Sequence, residues 1–106
     1  MGDDVELTVV TLAFDAPDES AGRLLSALSK YVVLARGHDG CRNIDLVASV
    51  THPGRLLLIE KWVSPEAQRT HFDSAEMVEL AEACKGLLRS APEIDLWEGL
   101  SAHDLA

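Results

Sequence analysis

Apolar residues along the chain fall into four strand-like runs and two helical stretches, set in a definite order. Val5–Phe14 (VELTVVTLAF) is rich in β-branched residues and nearly all apolar, which predicts a strand buried on both faces. One face carries Leu7, Val9, Thr11 and Ala13, and the other Thr8, Val10, Leu12 and Phe14. From about Ala16 to Arg36, Leu24, Leu28, Tyr31, Val32 and Ala35 recur at three- and four-residue steps, the stripe of an amphipathic helix. Asp15 is the expected cap, Pro17 falls in the first turn, and Gly37 is the expected left-handed stop. Cys41–Val50 and Arg55–Val63 alternate as strands on either side of Thr51-His52-Pro53-Gly54, a tight turn that predicts an antiparallel hairpin.

Past the hairpin, Ser64 is a good N-cap, Pro65 suits the first helical position, and Glu66 complements the helix dipole. This short helix reaches His71-Phe72. Asp73-Ser74 then interrupts it, and Ser74 starts a second segment to about Gly86 with Met77, Leu80, Ala81, Cys84 and Leu88 on one side. Ala91-Pro92 breaks the chain before a last strand, Glu93–Leu100. The order β-α-β-β-α-β predicts a ferredoxin-like α+β domain with an antiparallel sheet. Its helices cover one face only, yet the first and third strands are apolar on both. A second copy of the sheet is the simplest cover, so a homodimer joined through the sheet face is expected. The whole of residues 1–106 reads as one domain, with a core at about 5–100 and a short loose tail at 101–106.

Composition narrows the function classes. The 106 residues are 47% hydrophobic, enough for a core, and carry a formal net charge of −9. Nucleic acid and anionic membranes need basic surface, so neither is an expected partner. No apolar run approaches the ~20 residues of a membrane helix, and the acidic start MGDDVEL does not resemble a signal peptide, so a cytoplasmic setting is expected. Cys41 and Cys84 lie in different elements and are expected as free thiols. No metal-ligand spacing, phosphate loop, dinucleotide fingerprint or nucleophile elbow occurs.

The candidate chemistry sits where the third strand meets the next helix. Glu60 and Trp62 share a strand face, with Ile59 on the opposite one. A buried Glu must be paired or protonated, and a buried indole N–H needs an acceptor. His71, about two turns into the following helix, is the best titrating group to converge on them. His38 and His52 lie in turns and His103 in the tail, and all three read as solvated.

These same residues carry a resemblance. Gly40-Cys41, Ile59-Glu60-Lys61-Trp62, His71-Phe72 and Glu82-Ala83-Cys84-Lys85-Gly86 resemble the antibiotic biosynthesis monooxygenase family over roughly Leu7–Leu100. The family includes quinol monooxygenase-like members and belongs to the dimeric α+β barrel superfamily. The resemblance implies a cofactor-independent monooxygenase, an oxidoreductase that oxidises phenols or quinols with molecular oxygen in a pocket between sheet and helices. No cofactor and no metal are implied. His71 and Trp62 are the implied catalytic residues, and Glu60, Leu58, Thr11 and Phe72 the implied substrate pocket. A polyketide-oxidising member pairs the motif Trp with an Asn four residues earlier and a Tyr six residues later. Here Trp62 is retained, with Leu58 and Gln68 at the other two positions. The quinol monooxygenase-like members carry a His where His71 stands, and many have a second where Glu76 stands. Haem-degrading relatives use a His near the position of Ala81 and an Asn near that of Ala13, so haem is not expected. The alternative is a non-catalytic dimeric barrel that binds a small aromatic or apolar molecule.

Overall fold

The computed structural model describes residues 7–101. Its elements are β1 (Thr8–Asp15), α1 (Asp18–Ala35), β2 (Cys41–Ala48), β3 (Arg55–Trp62), α2 (Pro65–Phe72), α3 (Ala75–Cys84) and β4 (Glu93–Glu98). All pairings are antiparallel and the strand order is β2-β3-β1-β4. This is the ferredoxin-like α+β fold, with the last helical segment divided into α2 and α3.

Register decides which side chains meet the helices. Val10 lies across from Glu60, Leu12 from Leu58 and Phe14 from Leu56. On β2, Ile44 pairs with Glu60 and Leu46 with Leu58. This face packs under α1 and α3, whose Leu24, Leu28, Tyr31, Val32, Leu80 and Cys84 are buried with it. Burying a Leu-sized side chain contributes roughly 1.5–3 kcal/mol, so this layer dominates the stability. The reverse face carries Val9, Lys61 and Trp97 in one row and Thr11, Ile59, Asp45 and Asp95 in the next. β4 is exposed along its whole length.

Several boundaries differ from the sequence pattern. Val5 and Glu6 lie outside the described residues, so β1 is described only from Thr8. β1 also runs on to Asp15, which pairs with Arg55. Asp15 is therefore used by the sheet, and Pro17 takes the cap position of α1 without a side-chain bond. β2, β3 and β4 stop at Ala48, Trp62 and Glu98, one or two residues short of expectation. The Ser64 cap of α2 is as expected, its hydroxyl accepting from the Ala67 amide.

The left-handed glycine after α1 is Gly40, not Gly37 (φ 83°). At Gly37, α1 ends instead in tight turns, the Gly37 and His38 amides donating to the Leu34 and Ala35 carbonyls. The reason for a glycine at position 40 is twofold. Its φ is unfavourable for other residues, and an added Cβ would sit 2.5 Å from the Ala67 Cβ. The Val63 amide also donates to the Gly40 carbonyl at 2.9 Å. This close approach seats α2 against the loop that carries His38. Gly40→Ala is expected to cost about 1–3 kcal/mol through backbone strain alone. Urea unfolding would read the loss, and an unchanged midpoint would remove the constraint.

Candidate functional site

Glu60 is the polar residue that the sheet places inside the core, 2% exposed. Burial pushes its carboxyl above the usual range, while the bonds it accepts from Tyr31 and Trp62 hold it down. The Trp62 Nε1–H donates to Oε1 at 3.1 Å from two residues along the same strand face. The Tyr31 hydroxyl, brought in by α1, donates to Oε2 at 2.5 Å. Burial and the neighbouring Glu60 charge push the Tyr31 hydroxyl upward, so it keeps its proton.

The same Tyr31 oxygen lies 2.7 Å from His71 Nε2. The Tyr31 O–H is already engaged in its bond to Glu60, so its oxygen accepts here, and Nε2 carries the imidazole N–H. The other ring nitrogen, Nδ1, then bears the lone pair. Nδ1 is buried and has no hydrogen-bond partner among the described residues. The ring stacks on Trp62, with centroids 4.6 Å apart and planes 27° apart. Burial, with repulsion from His38 second, lowers the His71 pKa to about 4. Its neutral form therefore dominates near neutrality.

His38 covers this arrangement from the loop after α1. Its ring meets the His71 ring edge-on at 4.8 Å, and its Nε2–H donates to the Glu76 carboxylate at 3.0 Å. The sequence pattern left His38 in solvent; the structure corrects this to a half-buried member of the site. A turn sequence says nothing about what later packs on it, and here α2 and α3 supply the contacts. Glu76 lies in the first turn of α3, at a position where many relatives resembling quinol monooxygenases carry a His. By its spacing Tyr31 belongs to the apolar stripe of α1. A hydroxyl within an apolar stripe was the one signal that it needs a buried acceptor. His38, His71 and Glu76 each offer a ligand atom, all within 4.8 Å of one another. Three separate elements supply them, so no sequence spacing reveals the cluster.

The remaining candidates divide. Leu58 is fully buried on the Glu60 face, one pair further along the sheet. Thr11 is on the opposite face, where its Oγ1 accepts from Trp97 Nε1 at 2.8 Å, so strand alternation removes it from the interior site. Phe72 is 44% exposed and helps to line an apolar cleft of about 510 Å³ between the sheet and α3, with Leu12, Met77, Leu80, Cys84 and Ile94. The cleft starts at Leu12, the residue across from Leu58, and so lies beside the polar network rather than around it. Ala81 also lies in the wall of this cleft.

Because Tyr31 satisfies two buried groups at once, Tyr31→Phe is expected to leave both Glu60 Oε2 and His71 Nε2 without a partner. At about 1–3 kcal/mol for each unsatisfied group, the loss should reach at least ~2 kcal/mol in chemical denaturation. A change near zero would mean that the hydroxyl does not join them.

With the site in view, comparison with known proteins places the chain. No curated protein matches it. Among solved structures it is similar to Rv0793 of Mycobacterium tuberculosis, at 24% identity over 86% of this chain and 92% of that one, with a TM-score of 0.79. It is similar to a candidate antibiotic biosynthesis monooxygenase of Deinococcus radiodurans at 23% identity, covering 93% and 98%, with a TM-score of 0.84. It is also similar to NE2512 of Nitrosomonas europaea, a protein of unknown function, at 17% identity, covering 97% and 98%, with a TM-score of 0.86. At these identities the likeness establishes the fold. The antibiotic biosynthesis monooxygenase family matches residues 8–83, most of the chain. The chain therefore belongs to the antibiotic biosynthesis monooxygenase family.

Proposed function

We propose that this chain is a cofactor-independent monooxygenase acting on a small phenolic or quinol-type substrate. The observation that carries the reading is the Glu60–Tyr31–His71 chain, which leaves a neutral imidazole with an unpartnered lone pair on Nδ1 beside the Trp62 ring. A phenol whose proton passes to Nδ1 becomes an electron-rich anion able to reduce molecular oxygen itself. One oxygen atom then enters the ring as a carbonyl. The other leaves as water with the two hydrogens lost by the substrate. Glu60 and Tyr31 are positioning residues that hold the His71 tautomer, and the Glu76 carboxylate favours the imidazolium that forms. Trp62, fully buried, holds the His71 ring plane by stacking, and the neighbouring apolar cleft lined by Phe72 and Leu12 offers space for an aromatic ring beside the network.

His71→Ala is expected to lower oxygen uptake on a responsive phenol or hydroquinone by ~10²–10⁴-fold, the usual contribution of a general base. Unchanged turnover would remove His71 from the mechanism. A second reading, a non-catalytic barrel that holds an apolar molecule, is favoured by Leu58 and Gln68 at positions that are polar in an oxidising relative. It is also favoured by the apolar lining of the cleft. Tight binding of an aromatic probe with no oxygen uptake across a hydroquinone panel would select it.

We further propose that two copies associate through the sheet face, in the reducing setting of the cytoplasm. Trp97 is 52% exposed and β4 is uncovered throughout, beside the half-buried Val9, Leu57 and Ile59. The two free thiols support the compartment. A standard interface buries about 1,600 Å² in total. Light scattering is expected to give twice the chain mass at micromolar concentration, and Ile59→Asp is expected to abolish that mass by burying an unpaired charge. A monomer mass for the unaltered chain would overturn the assembly.

A further inference from the structure

We infer that His38, His71 and Glu76 form a binding site for one divalent transition-metal cation of the zinc, cobalt or nickel type. Their ligand atoms lie within 4.8 Å of one another, and His38 Nε2 and Glu76 Oε2 are 3.0 Å apart. Ligands at about 2.0–2.1 Å around tetrahedral zinc stand about 3.3 Å from one another. The cluster thus needs only a modest contraction, and the His38 and Glu76 side chains, about one-quarter exposed, are free to make it. Two imidazoles and one carboxylate suit this class of cation and leave room for water in the coordination shell.

The second, independent observation is the state of His71. A buried ring nitrogen without a hydrogen-bond partner is costly, and here it belongs to a residue grouped with an imidazole and a carboxylate. The opposite nitrogen donates to Tyr31, which in turn donates to Glu60. Metal-ligating histidines are held in just this way, by a bond on the far nitrogen that ends on a carboxylate and fixes the lone pair on the ligating side. The Gly37–Gly40 loop and Ala67 and Thr70 of α2 line a surface groove of about 590 Å³ at His38, an entry path from solvent. The formal net charge of −9 favours a cation over any competing anion.

Binding of the cation does not depend on the oxygenase reading. Its consequence does: cation and substrate proton would compete for the same Nδ1 lone pair, so the loaded chain would be the blocked form of the oxygenase. The test therefore uses no substrate. The full chain, stripped with a chelator, is titrated with Co²⁺ and followed by visible ligand-field absorption, then with Zn²⁺ against a chromogenic chelator. One cation per chain is expected, with nitrogen-ligated cobalt bands. His38→Asn and Glu76→Gln, both partly exposed and so compatible with folding, are expected to weaken binding by about 100-fold or more, beyond the 10–100-fold typical of outer-shell losses. His52→Ala, in the exposed β2–β3 turn, should leave it unchanged. Binding well below one cation per chain, or equal affinity in His38→Asn and Glu76→Gln, would overturn the site. If oxygen uptake is never found while cobalt binds as described, the oxygenase reading alone fails.

Discussion

A carboxylate buried in the middle of a sheet face has to be answered by the rest of the fold. Glu60 is fixed there by strand alternation, between Leu58 and Trp62, and water cannot reach it. An isolated buried charge is far too costly to keep, so donors must converge on it. One comes from its own strand, two residues on. The other is the Tyr31 hydroxyl, which requires α1 to cross β3 at a particular height. That hydroxyl then has one lone-pair side left, and His71 fills it from α2. A single desolvated group thus ties three elements together, and the apolar layer of Leu24, Leu28, Ile44 and Leu58 packs around the result.

This constraint also sets the chemistry. Each bond in the chain passes a direction to the next, from a carboxylate that only accepts to an imidazole that donates on one side. The tautomer, with its lone pair on Nδ1, is set by Glu60 two bonds away, while burial and His38 keep the ring neutral. Stacking on Trp62 holds the ring plane, and the His38 ring meets the His71 ring edge-on. In the two proposed readings, the same lone pair accepts a substrate proton or coordinates a cation. Local packing keeps the loop close enough for either: Gly40 lets α2 approach to a distance that any side chain there would forbid.

The apolar cleft beside this network shows why the pocket was only partly legible. Leu58 and Phe72 serve different surfaces, the one inside the core and the other in the wall of the cleft. Thr11 has the size and polarity of a pocket residue, yet its parity on β1 turns it to the outer face and to Trp97. Alternation on β1 was visible in the sequence. Which of its two faces would meet the helices depended on the register with β3, because only that register brings Val10 opposite Glu60.

By itself the sequence determined the order of elements, the antiparallel hairpin, the Ser64 cap, the shared face of Glu60 and Trp62, and the need of a buried Glu for partners. These follow from local rules: side chains alternate on a strand, recur at 3.6 residues on a helix, and caps need short polar side chains. The tertiary structure alone decided who the partners are. Tyr31 and Glu60 are 29 positions apart, Tyr31 and His71 are 40, and His38 and Glu76 are 38. No local pattern spans such separations. Those contacts exist because two helices and a loop pack onto one sheet face at set heights, and that packing is a property of the whole folded chain.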